Sequence, residues 1–362
     1  MVIAGGGTAG HILPALAVGR ALVARGFVPA DVRFVGSARG LEARLVPEAG
    51  FRVELLPGRG VVRRLNVAAI RAVAGLVVAQ FRAVALLARW RPAVVLSVGG
   101  YAAWPCAFAS LVLRIPLVVA EQNAVPGAVN RIAGRWAKAS ALAFAGTDLP
   151  RSTVTGNPVR PEILAVDRSP DARATAKGAL GIAPDAVVVA VTGGSLGARR
   201  INESVADLAR LWTDRPGTAI YHVVGSRDWA TFNQPHPQVL QYQAVEYEER
   251  VPLLLTAADV WVGRAGGTTI AELTAVGVPS VLVPLPIAPH DHQAVQARRL
   301  EQAGACLVVL DAECSGARLA KDLSDLLDRP GALADMGSAA AAAGHRDAAG
   351  RVADLLEAHA RG

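Results

Sequence analysis

Two hydroxyls and a carboxylate follow a pair of glycines in the second half of this 362-residue chain. The segment begins at Gly266 and Gly267, continues through Thr268 and Thr269, and reaches Glu272. A glycine turn between a strand and a helix exposes unpaired backbone N–H groups at the helix start, which suits a phosphate. Glu272 is an acceptor-only group that suits the two hydroxyls of a ribose. The alternative is a capping box made by Thr269 and Glu272, with no ligand.

A histidine beside a glycine loop near the start of the chain is the second group that could do chemistry. Gly5, Gly7 and Gly10 match the dinucleotide-binding spacing G-x-G-x-x-G, which is a weak signal when it stands alone. The acidic residue expected at the end of the second strand is missing, because Asp31 lies at its start. This disfavours an NAD-dependent dehydrogenase. His11 follows the loop directly, so a catalytic base competes with a helix cap or a surface histidine.

A third pattern is a stripe of arginines in a long helical segment predicted over 60–92. Arg64, Arg71, Arg82 and Arg89 are 7, 11 and 7 residues apart. At ~100° per residue they stay within roughly 20° of one line along the helix. The other positions are almost wholly apolar, and this combination suits an anionic membrane surface. The alternative is a crossover helix whose only polar face is the stripe.

These groups must be positioned by strands and helices, and the chain contains two similar α/β segments in succession. In the first half, segment 2–26 reads strand, glycine loop and helix, and later apolar runs end at 99–101 and 121–123. In the second half, segment 187–197 is again a strand and a glycine loop. Polar groups at strand ends share one edge of a parallel sheet. The predicted fold class is α/β, with two doubly wound Rossmann-like domains facing one another across a cleft.

The expected domain boundaries follow from a stiff, proline-containing segment near residue 158. They give an N-terminal domain over 1–158, a C-terminal domain over 159–340, and a final helix over 341–362 that packs back on the N-terminal domain. Three further local predictions are a helix over 124–140, a strand at 239–240, and helix breaks at Gly331, Gly337 and Gly344.

Composition narrows the class of protein. Hydrophobic residues make up 52% and charged residues 19% of the chain, which is typical of buried parallel sheets covered by helices. The net charge of +7 indicates an anionic partner, but without zinc-finger spacing or an aromatic-interleaved basic cluster we predict no nucleic acid. Cys106, Cys306 and Cys314 lack metal-ligand spacing and are typical of reduced cysteines. We predict no signal peptide and no membrane-spanning helix, and a natural start upstream of Met1 stays open.

Six motifs occur in an order that resembles a known family. They are GGGTAGH at 5–11, GGY at 99–101, EQN at 121–123, GNPVR at 156–160, GGSLGA at 193–198 and RAGGTTIAE at 264–272. Together they resemble the MurG family, the UDP-N-acetylglucosamine:lipid I N-acetylglucosaminyltransferases, over almost the whole chain. The resemblance implies a GT-B fold and an inverting transfer of GlcNAc from UDP-GlcNAc to the C4 hydroxyl of the muramoyl sugar of lipid I. The product is lipid II for peptidoglycan synthesis, and the resemblance implies no metal or other cofactor.

The resemblance also implies roles for individual residues. His11 is the expected general base, with Glu121 in reserve or orienting it. The expected donor site in the C-terminal domain comprises Arg160, Ser195, Arg264, Thr268, Thr269, Glu272, His292 and Gln293. The expected acceptor site in the N-terminal domain comprises Thr8, Gly10, Tyr101, Asn123 and Asn130. The chain departs from the family pattern at Ala9, His292 and Gln296, and at Ala120, where a histidine is usual; this favours His11 as the base.

The lipid tail of the acceptor stays in the bilayer, which implies a peripheral enzyme on the cytoplasmic face of the bacterial cell membrane. The arginine stripe is the expected contact with anionic lipid, and cell-wall synthesis proteins are candidate partners. A UDP-N-acetylglucosamine 2-epimerase would share the fold and the donor but would need no lipid-facing surface. A non-catalytic nucleotide-sugar sensor would bind UDP-GlcNAc tightly without turnover.

Overall fold

The structure is a computed structural model that describes residues 1–38, 40–57 and 67–361, with residues 67–74 described by their backbone alone. The strands are β1 Val2–Ala4, β2 Arg33–Ser37, β3 Arg52–Leu56, β4 Val95–Ser97, β5 Leu117–Glu121, β6 Ala139–Leu142, β7 Ser152–Val154, β8 Val187–Thr192, β9 Thr218–Val223, β10 Gln241–Val245, β11 Val260–Gly263, β12 Ser280–Leu282 and β13 Leu307–Val308. The α-helices are α1 Ala9–Ala24, α2 Glu42–Glu48, α3 Val67–Trp90, α4 Trp104–Val112, α5 Ala128–Ala133, α6 Pro161–Leu164, α7 Pro170–Ala179, α8 Arg199–Leu211, α9 Val251–Ala257, α10 Gly267–Val276, α11 His292–Gln302, α12 Gly316–Leu327, α13 Ala332–Ala343 and α14 Ala348–His359. Single 3₁₀ turns lie at Pro29–Asp31, Tyr101–Ala103, Trp229–Thr231, Pro289–Asp291 and Asp311–Glu313.

The chain forms two compact units. Unit 1 comprises Met1–Arg160 and His345–Gly362, and unit 2 comprises Pro161–Gly344. The last helix, α14, therefore belongs to unit 1, where it packs on α1. Arg25 at the end of α1 holds it by ion pairs of 2.7 Å to Asp354 and 2.8 Å to Glu357.

Unit 1 is built on a parallel sheet, with the strand order β3-β2-β1-β4-β5-β6-β7 among its described residues. Strands β1, β4 and β5 are buried along their whole length, because helices cover both faces of the sheet. The order reverses direction between β1 and β4. In doubly wound sheets, the crevice at the carboxyl ends of the two strands flanking such a reversal is where ligands bind.

Unit 2 repeats this arrangement with the parallel order β10-β9-β8-β11-β12-β13 among its described residues. Its core joins apolar residues of β8 and β11 to the inner faces of α8 and α12. The reversal lies between β8 and β11, and a glycine turn follows each of these two strands. The prediction of two doubly wound α/β units is confirmed.

Three local predictions were wrong. The helix expected over 124–140 is only α5, because the chain must turn back to add β6 to the sheet. Residues 239–240 precede the true strand, β10, whose polar residues concealed it. Gly331 and Gly344 do flank α13, but Gly337 lies inside it. A Cβ on Gly337 would lie 2.9 Å from the Gly277 carbonyl oxygen, so this glycine permits close packing of α13 on α10 and does not break the helix.

Candidate active site

Glycine turns follow the two strands that flank the reversal in unit 1. Gly5, Gly6 and Gly7 come after β1, Gly99 and Gly100 come after β4, and all five have φ angles between 73° and 145°. The turns touch each other. A Cβ on Gly5 would lie 2.8 Å from the Gly99 carbonyl oxygen, and a Cβ on Gly100 would lie 2.8 Å from the Gly6 carbonyl oxygen. This close approach therefore requires glycine on both sides.

His11 is the third residue of α1 and lies beside both turns. Thr8 is the N-cap of the helix, and its Oγ1 is 3.0 Å from His11 Nδ1. A Cβ on Gly99 would be 3.5 Å from the imidazole Cδ2, and one on Gly100 would be 3.8 Å from Cε1. Burial lowers the pKa of His11 below its usual value of 6.5, and the charge of Glu42 opposes that shift. The ring is therefore neutral at pH 7 and able to accept a proton.

Glu121, at the end of β5, is the centre of a hydrogen-bond network. Its Oε1 accepts from the backbone N (3.1 Å) and Nδ2 (3.2 Å) of Asn123, and its Oε2 accepts from Gly127 N and Asn130 Nδ2, both at 3.0 Å. Burial raises the pKa of Glu121, although these four donors act in the opposite direction. The residue is only 4% exposed, and it makes no hydrogen bond to His11 within the described structure.

Asn130 connects this network to the glycine turn beside His11. Its Oδ1 accepts from Ser97 Oγ at 3.0 Å, and its Nδ2 also donates to the Ala120 carbonyl oxygen at 2.9 Å. That Nδ2 lies 3.0 Å from the position of a Cβ on Gly99. Because Asn130 is only 1% exposed, it supports the wall of the site from behind.

Tyr101 links the two glycine turns to a carboxylate that the sequence did not reveal. Its hydroxyl donates to Ser37 Oγ at 2.9 Å, and the backbone N of Ser37 donates to Glu42 Oε1 at 2.6 Å. The other carboxylate oxygen of Glu42 accepts from Gly7 N at 2.8 Å. The sequence offered one indication of this buried carboxylate: Gly36 and Gly40 closely precede Glu42 at the start of α2.

Gly10, another predicted acceptor residue, lies in the first turn of α1.

In unit 2, the glycine loop after β8 forms a tight turn before α8. Gly197 N donates to the Gly194 carbonyl oxygen at 2.9 Å, and both glycines have positive φ angles, 90° at Gly194 and 82° at Gly197. A Cβ on Gly197 would lie 2.1 Å from the Val224 carbonyl oxygen, so the loop packs directly on the end of β9. Ser195 is exposed in this turn, and its carbonyl oxygen accepts from Ser226 N and Oγ, both at 3.3 Å.

The second glycine turn of unit 2 leads from β11 into α10. Gly266 is the N-cap, so Thr268 and Thr269 occupy the first helical turn and Glu272 is the sixth residue of the helix. The capping-box alternative is wrong, because Thr269 is the third helical residue and does not occupy the cap position. Thr268, Thr269 and Glu272 are all partly exposed at the reversal between β8 and β11.

Three other predicted donor residues already have partners within unit 2. Arg264 Nη1 contacts Asp311 Oδ1 at 2.6 Å and the Val283 carbonyl oxygen at 3.2 Å, which ties the end of β12 to the turn after β13. Gln293 Oε1 accepts from the backbone N of Leu285 at 2.9 Å, so its amide N–H groups face elsewhere. His292 Nδ1 lies 2.9 Å from the Pro289 carbonyl oxygen. Arg160 is the last residue of the first segment of unit 1 and is partly exposed.

A fully buried histidine supports the loop that contains Ser195. His222 Nε2 lies 3.0 Å from Asn202 Oδ1 and its Nδ1 lies 2.7 Å from the hydroxyl of Tyr242. Asn202 Nδ2 donates to the Val224 carbonyl oxygen at 3.0 Å, which is the oxygen packed against Gly197. Burial lowers the pKa of His222 to about 3. The histidine is therefore a neutral structural link behind the loop.

Helix α3 carries an exposed apolar patch next to arginines. Phe81 is 74% exposed, and Val77 and Val78 lie one turn before it, also exposed. Arg82 and Arg89 are exposed on the same helix. Of the other predicted stripe residues, Arg64 lies outside the described residues and Arg71 lies where only the backbone is described. In the parts of the chain that the structure describes, no helix is both long and apolar enough to cross a bilayer.

Comparison with known proteins identifies the two halves of the chain. Residues 1–142 match the glycosyltransferase family 28 N-terminal domain, and residues 188–352 match the glycosyltransferase family 28 C-terminal domain. The crystal structure of MurG from Acinetobacter baumannii is similar to this chain, with a TM-score of 0.76, 28% identity and coverage of 99% of both chains.

Two curated relatives carry the same name, UDP-N-acetylglucosamine--N-acetylmuramyl-(pentapeptide) pyrophosphoryl-undecaprenol N-acetylglucosamine transferase. The protein from Clavibacter sepedonicus is 40% identical over 98% of this chain and 95% of its own length. The protein from Desulforudis audaxviator (strain MP104C) is 37% identical over 99% of this chain and 97% of its own length. With both family 28 domains and this identity over nearly its full length, the chain belongs to glycosyltransferase family 28 and, within it, to the MurG family of N-acetylglucosamine transferases with the GT-B fold.

Proposed function

We propose that this chain transfers GlcNAc from UDP-GlcNAc to the C4 hydroxyl of the muramoyl sugar of lipid I, the acceptor linked to pyrophosphoryl-undecaprenol, with His11 as the general base. The reaction class rests on the family relationship. The choice of base rests on one observation. His11 is a neutral imidazole at the reversal between β1 and β4, where doubly wound sheets bind ligands.

The base is needed because the attacking hydroxyl is a poor nucleophile. A positioned general base contributes roughly 10²–10⁴-fold to such a step. In this proposal, the hydroxyl loses its proton to His11 Nε2 as its oxygen attacks the anomeric carbon of GlcNAc. UDP leaves from the opposite face, so one displacement converts the α-linked donor into a β-linked product. The contact of Thr8 Oγ1 with Nδ1 leaves Nε2 as the nitrogen available for this role.

Glu121 has the role of a positioning residue in this mechanism. It is too buried to reach a substrate, and its four hydrogen bonds within the described residues all hold parts of the site wall. Through Asn123 and Asn130 it fixes two amide side chains that the family resemblance places with the acceptor. Tyr101, Thr8 and Gly10 complete the proposed acceptor side in unit 1.

The donor is proposed to bind unit 2 at the reversal between β8 and β11. Helix N-termini carry a partial positive charge and backbone N–H groups that point along the axis, and both stabilise the charge that develops on a leaving diphosphate. The glycine turn at Ser195 and the helix start at Thr268 and Thr269 supply two such ends. Glu272 is proposed to accept from the ribose hydroxyls, while Gln293 and His292 meet the sugar and Arg160 and Arg264 lie near the nucleotide.

The acceptor's lipid tail requires the enzyme to work at a membrane surface. We propose that α3 supplies the contact, with Phe81, Val77 and Val78 entering the interface and Arg82 and Arg89 meeting anionic headgroups on the cytoplasmic face. This makes the protein peripheral. The exposed apolar cluster supports the proposal independently of the arginine spacing. Monomeric proteins seldom expose large apolar side chains side by side unless the patch contacts a partner or a membrane.

The test is acceptor-dependent release of UDP from UDP-GlcNAc, measured with and without a lipid I analogue. We expect release only with the analogue, together with a disaccharide product of β configuration. His11→Ala should lower kcat by roughly a hundredfold or more, while UDP affinity measured by calorimetry stays unchanged. A near-normal kcat in that variant would remove His11 as the base. Epimerised UDP-sugar formed without acceptor would overturn the transferase assignment.

A further inference from the structure

Glu42 is a fully buried acidic residue that takes no direct part in the proposed reaction. Burying a carboxylate is costly unless hydrogen bonds compensate for the lost water. Three glycines surround the carboxylate of Glu42 and leave room for it. A Cβ on Gly6, Gly36 or Gly40 would lie between 2.0 and 2.4 Å from the nearest atom of its side chain. Any larger residue at these three positions would therefore clash with the Glu42 side chain as it is placed here.

The two oxygens of this carboxylate accept from two different loops. Oε2 accepts from Gly7 N at 2.8 Å, within the first glycine turn, and Oε1 accepts from Ser37 N at 2.6 Å, at the end of β2. Ser37 Oγ in turn accepts from the hydroxyl of Tyr101 at 2.9 Å, which continues the network into the turn after β4. The carboxylate is thus the joint between the first glycine turn and the residues that face it.

We propose that Glu42 is a positioning residue for the transfer: its carboxylate holds the Gly5–Gly7 turn in the shape that places His11, and it supplies the buried negative charge that acts on the imidazole. This inference rests on the proposed function, because it assumes that the placement of His11 matters for the reaction. Glu42 itself touches neither substrate nor reacting atoms in this account.

An amide could not replace the carboxylate. Among the described residues, Glu42 accepts from Gly7 N and Ser37 N, which are both backbone donors. A glutamine offers one oxygen and one NH₂ group, so one donor would face another donor in a fully buried space. The turn after β1 would have to move to relieve that conflict. A displacement of about 1 Å in a catalytic geometry costs on the order of a hundredfold in rate.

The negative charge of Glu42 has a second effect, on the pKa of His11, which can be measured separately from the placement of the turn. Burial lowers the pKa of His11, and Glu42 is the charged group that raises it. Within the described residues, the other groups next to the ring have no ionisable side chain: Thr8 on its own helix, Gly99 and Gly100 after β4, and Asn130 of α5, behind which lies Glu121. Removing the charge of Glu42 should therefore lower the pKa of His11 further. The acid limb of kcat/KM should move to lower pH.

The experiment compares Glu42→Gln with Glu48→Gln, a control on the same helix whose side chain is 54% exposed. For Glu42→Gln we expect kcat to fall about a hundredfold, UDP affinity to stay unchanged, and the pKa of His11 to fall. That pKa is measured by NMR titration of the imidazole, assigned with His11→Asn. Glu48→Gln should match the wild type in all three. Wild-type kcat and an unchanged His11 titration in folded Glu42→Gln would overturn the proposal.

A second variant separates placement from charge. Glu42→Asp keeps the negative charge but shortens the side chain, so the His11 titration should stay near that of the wild type while kcat remains depressed. If Glu42→Gln does not fold, a wild-type kcat in Glu42→Asp would overturn the placement role. The NMR titration needs no substrate. If His11→Ala retains full activity while Glu42→Gln still shifts the titration, the proposed base is wrong and the coupling between Glu42 and His11 stands.

Discussion

Thr8 Oγ1 lies 3.0 Å from His11 Nδ1, so the N-cap residue of α1 contacts the imidazole of the first helical turn. If Nδ1–H donates to this hydroxyl, Nε2 is left as the acceptor for the substrate proton. Thr8→Ala removes the partner and should lower kcat about three- to tenfold, the effect of one hydrogen bond of about 1 kcal/mol. Thr8→Ser keeps the hydroxyl and is the matched control. Equal kcat values for the two variants would show that the contact does not orient the ring.

Glu121→Gln should disrupt the acceptor side of the site. The carboxylate accepts two hydrogen bonds on each oxygen, from Asn123 and from Gly127 and Asn130. A glutamine keeps one oxygen and places an NH₂ group against the other two donors. We expect kcat to fall by roughly tenfold or more and KM for the lipid I analogue to rise, since buried donors lose their partners at about 1–3 kcal/mol each. The KM for UDP-GlcNAc, read in the same assay, should not change; a rise confined to that constant would contradict the assignment.

Glu272→Gln tests the proposed ribose contact. A hydrogen bond to a charged acceptor is worth about 1.5–3 kcal/mol, so KM for UDP-GlcNAc should rise at least about tenfold. The sharper measurement compares UDP with 2′-deoxy-UDP by calorimetry. The wild type should prefer UDP, and Glu272→Gln should lose most of that preference. A preference that survives the substitution would place Glu272 away from the 2′-hydroxyl.

His222 predicts an acid sensitivity of stability. Its pKa is about 3 in the folded state, against about 6.5 in the unfolded chain. Between these values the unfolded state binds the proton and the folded state does not, so stability falls as the pH drops below 6.5. At pH 5 this group alone should cost about 2 kcal/mol relative to pH 7.5.

His222→Gln should flatten the dependence of the urea midpoint on pH, and His236→Gln, at an exposed histidine, is the control. Glu121, whose pKa is raised by burial, acts in the opposite direction, and His11 acts in the same direction as His222. Glu121 and His11 are present in the wild type and in both variants. The difference between the pH curves of the wild type and His222→Gln therefore reports on His222 alone. Parallel curves for the wild type and His222→Gln would contradict the expectation.

Binding to anionic vesicles tests the proposed membrane contact of α3. The double variant Arg82→Glu with Arg89→Glu should bind vesicles of phosphatidylglycerol and phosphatidylcholine at least tenfold more weakly, because each arginine near the surface is worth about 1 kcal/mol. Arg44→Glu with Arg298→Glu changes the net charge equally at exposed positions elsewhere. Phe81→Ser should weaken binding even in neutral vesicles. Equal losses in both double variants would indicate a net-charge effect and no specific contact surface.

Much of the architecture was predictable because it is encoded locally. Apolar runs followed by glycine turns and helical spacing indicated β1 with α1, β8 with α8, and β11 with α10. Gly277 adopts the left-handed conformation and ends α10, which is the local role that a glycine after a helix usually takes. Where tertiary contacts outweigh local preference, the predictions were wrong: Gly337 is kept inside α13 by packing on Gly277, and the polar strand β10 exists because β9 offers it an edge.

The two glycine-turn α/β units and the family's motifs could be recognised without the structure, because turns and helix starts depend on residues only a few positions apart. The partners of the acidic residues, in contrast, depend on the tertiary structure. Glu42 meets Gly7 across 35 positions in the chain, and this contact exists because the sheet places β2 beside β1. Likewise Glu121, which its motif offered as a catalytic reserve, is enclosed by the turn at Asn123 and by α5, and the positioning role that we propose for it rests on that enclosure. Spacing along the chain carries no information about such contacts, since the order of strands in the sheet creates them.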